Sequence, residues 1–212
     1  ADAACAVGAT YKGRKFGDLA DISVLSFNGN KTITCGGGGA VAGNDEELLS
    51  LVRHLTTTAR CGSEYDFDMV GFNYRMTNVQ AAIGCAQMER LEEFVERKRV
   101  IRRFYDDEFK DTAAECFAKS EGSSCWFSGI VLPKPEGIEE VRGIIARMRE
   151  NGIEGRTFWK PVHLQKVYMD CPRSDVSVSE GIWDRIVTLP CSTGITDEQL
   201  AYVAGVVKKE FI

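Results

Sequence analysis

The sequence predicts an α/β protein divided near residue 110. Three observations predict it: short β-prone runs bounded by turn residues, apolar residues at helical spacing behind capping signals, and a change of composition over residues 111–124. Of 212 residues, 44% are hydrophobic, which is enough apolar material for a core. Lys+Arg 26 against Asp+Glu 31 gives a net charge of −5, with no basic excess to bind nucleic acid or an acidic membrane surface. No apolar run approaches the roughly 20 residues of a membrane-spanning helix, and no signal peptide is visible. A cytoplasmic protein is expected.

In chain order, residues 22–27 (Ile-Ser-Val-Leu-Ser-Phe) read as a mostly buried strand between Asp21 and the turn Asn28-Gly29. Four glycines, 36–39, precede a second short strand at 40–43. Asn44 with Glu47 forms a capping box for a helix carrying Leu48, Leu49, Val52 and Leu55, which ends at three threonines, 56–58. Residues 60–76 read as a loop long enough to imply function. Thr77 and Gln80 cap one long helix to about residue 109, with Val79, Ile83, Ala86, Leu91, Phe94, Ile101 and Phe104 on its apolar face. Glu93 and Arg97 are spaced to pair on its outside, and Arg97, Lys98, Arg99, Arg102 and Arg103 read as its solvated face.

Past the composition shift, residues 126–132 read as a strand. Val141, Ile144, Ile145 and Met148 mark a helix stopped by Asn151-Gly152. Residues 153–159 and 186–189 are further strands, and Thr196 with Gln199 caps a last helix bearing Leu200, Val203 and Val207. The expected domains are 1–110 and 111–212.

Eight scattered cysteines form no Cys-x-x-Cys pair and the chain has two histidines, so reduced thiols are expected and a structural zinc site is not. His54 follows a helical pattern and reads as a surface residue. The glycine run stands before a strand rather than between strand and helix, which fits a close turn better than a phosphate cradle. Lys31 stands on the tight turn after the first strand, where a neutral amine can act as nucleophile or proton shuttle.

Ser26-Phe27-Asn28-Gly29-Asn30-Lys31-Thr32-Ile33-Thr34 closely resembles the cofactor-lysine segment of the DegT–StrS group of sugar aminotransferases, which depend on pyridoxal phosphate (PLP) and have fold type I. Asp2-Ala3-Ala4 resembles an upstream element of that group. Gly71-Phe72-Asn73-Tyr74-Arg75-Met76-Thr77-Asn78 resembles its Gly-Tyr-Asn-Tyr-Arg segment. Leu55-Thr56-Thr57-Thr58-Ala59-Arg60 and Asp170-Cys171-Pro172-Arg173 are similar to the subgroup acting on UDP-linked 4-keto-6-deoxy amino sugars.

The resemblance implies that Lys31 anchors PLP covalently and shuttles the proton of transamination. Asp2 would pair with the pyridinium nitrogen so that the ring acts as an electron sink, Ser26 would bind the cofactor phosphate, and Asn73 would reach the cofactor of a partner subunit in a homodimer. Where the family has Gln or His near the phenolic oxygen, this chain has Cys5, a weaker hydrogen-bonding group. Arg156, Trp159, Lys160 and His163 are candidates for contact with a nucleotide-sugar.

Family members carry a large upstream segment with most of the sheet, a phosphate loop and a stacked aromatic. The chain is therefore expected to be the trailing part of the large PLP domain plus the small α/β domain. The implied reaction is transfer of an amino group from glutamate to the keto carbon of a nucleotide-linked 4-keto sugar. A PLP-dependent sugar dehydratase of the same family would carry His where this chain has Lys31. A non-catalytic fragment that dimerises or binds sugar nucleotide is the alternative from another class.

Overall fold

The computed structural model describes residues 1–118, 120–133 and 137–211. Its contacts divide the chain into two units, Ala1–Arg97 with Ser120–Trp126, and Lys98–Lys119 with Phe127–Ile212. The division falls inside the long helical region rather than at its end near residue 110, because the packing partners of that helix change along its length.

The first unit opens with a small hairpin, β1 (Thr10–Tyr11) and β2 (Arg14–Lys15). Lys12 (φ 50) and Gly13 (φ 79) form its two-residue turn, both on the positive-φ side that matches strand twist. Strand β3 (Ile22–Ser26) pairs antiparallel with β4 (Gly39–Gly43), from Ile22 opposite Gly43 to Ser26 opposite Gly39. The glycine at 39 is required, since a Cβ there would lie 2.4 Å from the Leu25 carbonyl oxygen. Residues 1–3 line the other edge of β3: Val24 N donates to the Ala1 carbonyl and Ala3 N to the Val24 carbonyl, both at 2.9 Å.

Helix α1 (Glu46–Thr56) begins one residue later than the sequence motif places it. Asp45, not Asn44, is its cap and accepts from Leu48 N at 2.9 Å, while Asn44 donates instead to Asp18 Oδ1. The segment read as a loop contains a second short hairpin, β5 (Arg60–Cys61) with β6 (Asp66–Phe67). The Thr77–Gln80 capping box is present, but the single long helix is two, α2 (Asn78–Glu89) and α3 (Leu91–Phe109). Arg90 leaves helical geometry between them at ψ 10, and its guanidinium pairs with Glu93 at 2.7 Å. Of the expected apolar face, Val79 and Ile83 are exposed, whereas Phe94 and Ile101 are buried. Thr77→Ala is expected to lower the stability of the first unit by about 1 kcal/mol, checked by the urea midpoint of helical circular dichroism.

The second unit is built on an antiparallel sheet, β7 (Glu115–Cys116), β8 (Ser128–Val131), β9 (Arg156–Thr157) and β10 (Ile186–Leu189), in the order β7-β8-β10-β9. Both strands expected at 126–132 and 153–159 are shorter than the sequence runs. Helices α4 (Ile138–Glu150) and α6 (Asp197–Phe211) join the second part of α3 over this sheet, and a short α5 (Ser177–Ile182) precedes β10. The core holds Ile101, Tyr105 and Phe109 of α3, the predicted Val141, Ile144, Ile145 and Met148, the predicted Leu200, Val203 and Val207, and Ile130, Val187 and Leu189 from the sheet.

Two polar groups enter this interior with their partners. Tyr105 Oη donates to the Pro190 carbonyl at 2.8 Å, and burial pushes its hydroxyl pKa up. Lys98, read from sequence as solvated, is buried and donates from Nζ to the Cys191 carbonyl at 2.9 Å. Arg102 is likewise drawn in, bonded to Asp106 at 2.7 Å and to the Phe117 carbonyl. The basic run is thus only partly a solvated face; two of its members tie α3 to the rest of the second unit. No helix among the described residues is long and apolar enough to cross a membrane.

Candidate cofactor-binding site

The turn between β3 and β4 is built to present Lys31. Phe27 N donates to the Gly38 carbonyl at 3.0 Å, and Cys35 N and Thr34 Oγ1 both return to the Phe27 carbonyl at 3.1 Å. Gly36 (φ 83) and Gly38 (φ 103) take conformations that cost a side-chain-bearing residue. Within this loop Lys31 N donates to the Asn28 carbonyl at 3.0 Å, which turns the lysine side chain out of the strand direction.

Lys31 Nζ comes to 3.4 Å from Cys5 Sγ and lies over the Trp126 ring at 3.6 Å from its centroid. The tryptophan is tied to the same loop, its Nε1 donating to the Asn30 carbonyl at 2.7 Å. An aromatic face attracts an ammonium group and fixes its position. Trp126 is the site residue that the sequence does not reveal: its run, 126–132, reads as a strand. The chain leaves Cys125 at a positive φ of 50°, and β8 starts only at Ser128. That backbone conformation is not legible from residue type.

Asp2 is exposed beside β3, where it bridges Val24, and its Oδ1 accepts from Ala4 N at 3.0 Å. The residue pairing that lines 1–3 along β3 therefore brings Asp2 to the strand that ends in Ser26 and leads to Lys31. Ser26 Oγ accepts from Asn28 N at 3.4 Å, a turn contact that leaves its hydroxyl proton available. Asn73 is exposed and held by a bridge to Thr57. The structure thus brings Lys31 and Cys5 into contact and sets Asp2 beside the strand that carries Ser26; Asn73 makes no side-chain hydrogen bond to them among the described residues.

These donor types fit PLP. An amine can anchor its aldehyde, an exposed carboxylate can face its ring nitrogen, and a hydroxyl on a glycine-bearing turn can meet its phosphate.

The four candidates in the second unit lie on and after β9. Arg156 is mostly exposed, its guanidinium 3.6 Å from Glu154, and its backbone N donates to Thr188 Oγ1 at 3.1 Å. Arg149 first, with Arg156 adding to it, holds the Glu154 carboxyl below the usual carboxylate range. Trp159 is 54% exposed, with its ring edge-on to Phe158 at 4.8 Å and to Phe127 at 5.3 Å. Lys160 offers its carbonyl to Gln165 Nε2 at 3.3 Å. His163 Nε2 lies 2.8 Å from Glu180 Oε1, an ion pair when the imidazole is protonated.

Comparison with known proteins adds to this geometry. GDP-perosamine synthase of Vibrio cholerae is 33% identical over 214 residues, a match covering 99% of this chain and 58% of that protein. A GDP-perosamine synthase of Caulobacter vibrioides is 35% identical over 205 residues, covering 94% and 55%. Among solved structures, Helicobacter pylori PseC, an aminotransferase involved in the biosynthesis of pseudoaminic acid, superposes with a TM-score of 0.89 at 24% identity, over 99% of this chain and 58% of that one. A Streptococcus pneumoniae protein solved in its PLP form gives a TM-score of 0.87 at 26% identity, covering 98% and 56%. The chain spans little more than half the length of these relatives. Its fold is that of PLP-dependent transferases of fold type I, and the cofactor of the group is PLP. Matched over residues 1–208, the chain belongs to the DegT/DnrJ/EryC1/StrS aminotransferase family.

Proposed function

We propose that these residues serve a nucleotide-sugar aminotransferase that converts a 4-keto sugar to the 4-amino sugar with glutamate as amino donor, for amino-sugar or cell-surface polysaccharide synthesis. The observation that carries this reading is the packing of Lys31 Nζ against Cys5 and the Trp126 face, in the loop that follows the strand bridged by Asp2. When bound, PLP supplies an electron sink conjugated to the substrate carbon.

In this reading Lys31 binds the cofactor covalently, and its freed amine carries the proton to and from the reacting carbon. Asp2 keeps the ring nitrogen protonated through its carboxylate. Ser26 Oγ donates to the phosphate. Trp126 covers the amine, limits access of water and holds Lys31 in one orientation. Cys5 stands beside the amine as the neighbour of the cofactor's phenolic oxygen. In the second unit, Trp159 offers an exposed ring face for a nucleotide base, while Arg156, Lys160 and His163 supply positive or donor groups for the diphosphate and sugar.

The protein acts as a homodimer in this proposal, with Asn73 reaching the partner's cofactor phosphate. The exposed apolar side chains Tyr65, Phe67, Val70, Phe72, Tyr74 and Val79 on the flanking segment support it, since so large an apolar surface is unusual on a monomer.

The test is the two half-reactions measured separately. PLP-loaded protein mixed with L-glutamate is expected to release 2-oxoglutarate in proportion to bound cofactor. A UDP- or GDP-linked 4-keto-6-deoxy sugar added next is expected to return the absorbance of the aldehyde form as the amino sugar appears. Amine release from glutamate with no nucleotide-linked keto sugar accepted would overturn the substrate assignment. Failure of the glutamate step while the sugar nucleotide still binds favours the binding fragment.

A further inference from the structure

Outside the Lys31 site, the first unit gathers three unlike side chains at the end of α1. His54 Nε2 lies 2.6 Å from Asp68 Oδ1. Cys61 joins them so that one ligand atom from each of His54, Cys61 and Asp68 lies within 4.8 Å of the others.

The backbone fixes this grouping. Ala59 is fully buried at a φ of 53°. Its N donates to the His54 carbonyl at 2.9 Å, and its carbonyl accepts from Asp68 N at 3.4 Å. One residue therefore anchors both the histidine's turn of helix and the aspartate's segment, while the β5–β6 hairpin carries Cys61 across to them. The chain closes tightly behind it: a Cβ on Gly71 would sit 2.2 Å from the Thr58 carbonyl carbon. The side chains of His54 and Asp68 are 28% and 49% exposed, so an ion from solvent can reach them.

We infer that His54 Nε2, Cys61 Sγ and the Asp68 carboxylate bind one zinc ion, with solvent in the fourth position. The donor set selects the metal. A nitrogen, a sulfur and an oxygen suit tetrahedral Zn²⁺, whereas Ca²⁺ and Mg²⁺ take oxygen ligands. On binding, the Cys61 thiol gives its proton to solvent. The imidazole binds through Nε2 with its proton on Nδ1, and the thiolate and carboxylate together balance the 2+ charge. The His54–Asp68 contact opens as the metal enters, and Cys61 closes toward it to reach bonding distance. The ion fastens the hairpin to the end of α1. Spacing rules for paired cysteines do not find such a site, because its ligands come from a helix end, a strand and the segment after the hairpin.

Cobalt chloride titrated into the metal-free chain, purified without a histidine tag, tests this. One equivalent is expected to give a thiolate-to-cobalt charge-transfer band in the near ultraviolet together with tetrahedral visible bands, all displaced by zinc chloride. Cys61→Ser is expected to abolish the near-ultraviolet band, while Cys85→Ser and Cys171→Ser keep it. His54→Gln and Asp68→Asn are expected to weaken zinc binding at least about tenfold in a chelator competition. No thiolate band, a band that survives Cys61→Ser, or zinc affinity unchanged in both ligand variants would overturn the proposal. Circular dichroism of each variant separates loss of a ligand from loss of fold.

Discussion

Lys31→Ala is expected to abolish covalent attachment of PLP to the chain and to slow any amino-group transfer it supports by about 10²–10⁴-fold. The amine has two tasks in the proposed reaction, anchoring the cofactor and carrying a proton, and a methyl group can do neither. Lys31→Arg is expected to fail as completely, because a guanidinium stays protonated and cannot attack an aldehyde. Charge at this position is therefore separable from nucleophilicity. Cys5→Ala is expected to keep the label, since Cys5 touches the amine through sulfur at 3.4 Å without holding the turn that carries it. The backbone bond from Lys31 N to the Asn28 carbonyl survives all of these changes. Borohydride reduction of the PLP-treated protein followed by peptide mass mapping reads the outcome. A single adduct at residue 31 is the expected result, and labelling spread over surface lysines contradicts it.

The largest expected loss of stability comes from Phe109→Ala, about 3–5 kcal/mol. Phe109 is fully buried near the end of α3, its ring stacked with Tyr105 at 6.1 Å between centroids. Around it the second unit draws together α3, α4, α6 and the sheet, so neighbours held by several elements cannot collapse into the space the ring leaves. A domain has a total stability of about 5–15 kcal/mol, so this one substitution removes a large share. Hydrogen exchange of the amides of α4 gives the measurement, because it reports on the second unit separately. Protection lost by less than a factor of ten would show that the site relaxes far more than its burial implies.

The helices of the second unit were legible because period and packing agree. Val141, Ile144, Ile145 and Met148 recur at helical spacing, and all four are buried. The Thr77–Gln80 box was legible because capping is a local bond between residues three apart. Lys98 was not. Its neighbours on α3 are charged, and a carbonyl 93 positions later in sequence is among the partners that make its burial tolerable. The break at Arg90 was hidden for a similar reason, since no proline or glycine marks it. Motif order pointed to Lys31, Asp2, Ser26 and Asn73, but Trp126 arrives 95 residues after Lys31 through a backbone turn with no sequence signature. The His54–Asp68 contact escaped because a histidine at helical spacing carries no sign of a partner 14 residues on.

Strand β10 lies between β8 and β9 in the sheet, yet its residues 186–189 follow both of them in sequence. Its partner β8 precedes it by 58 residues, from Ser128 to Ile186. Until β10 is in place, β8 and β9 have no common neighbour, and α4 faces a gap where Val187 and Leu189 belong. Closing so long a loop must come before most of the contacts that reward it. During synthesis this unit therefore stays open until residues 186–189 have been made, and any chain cut short before residue 186 leaves a sheet without its middle.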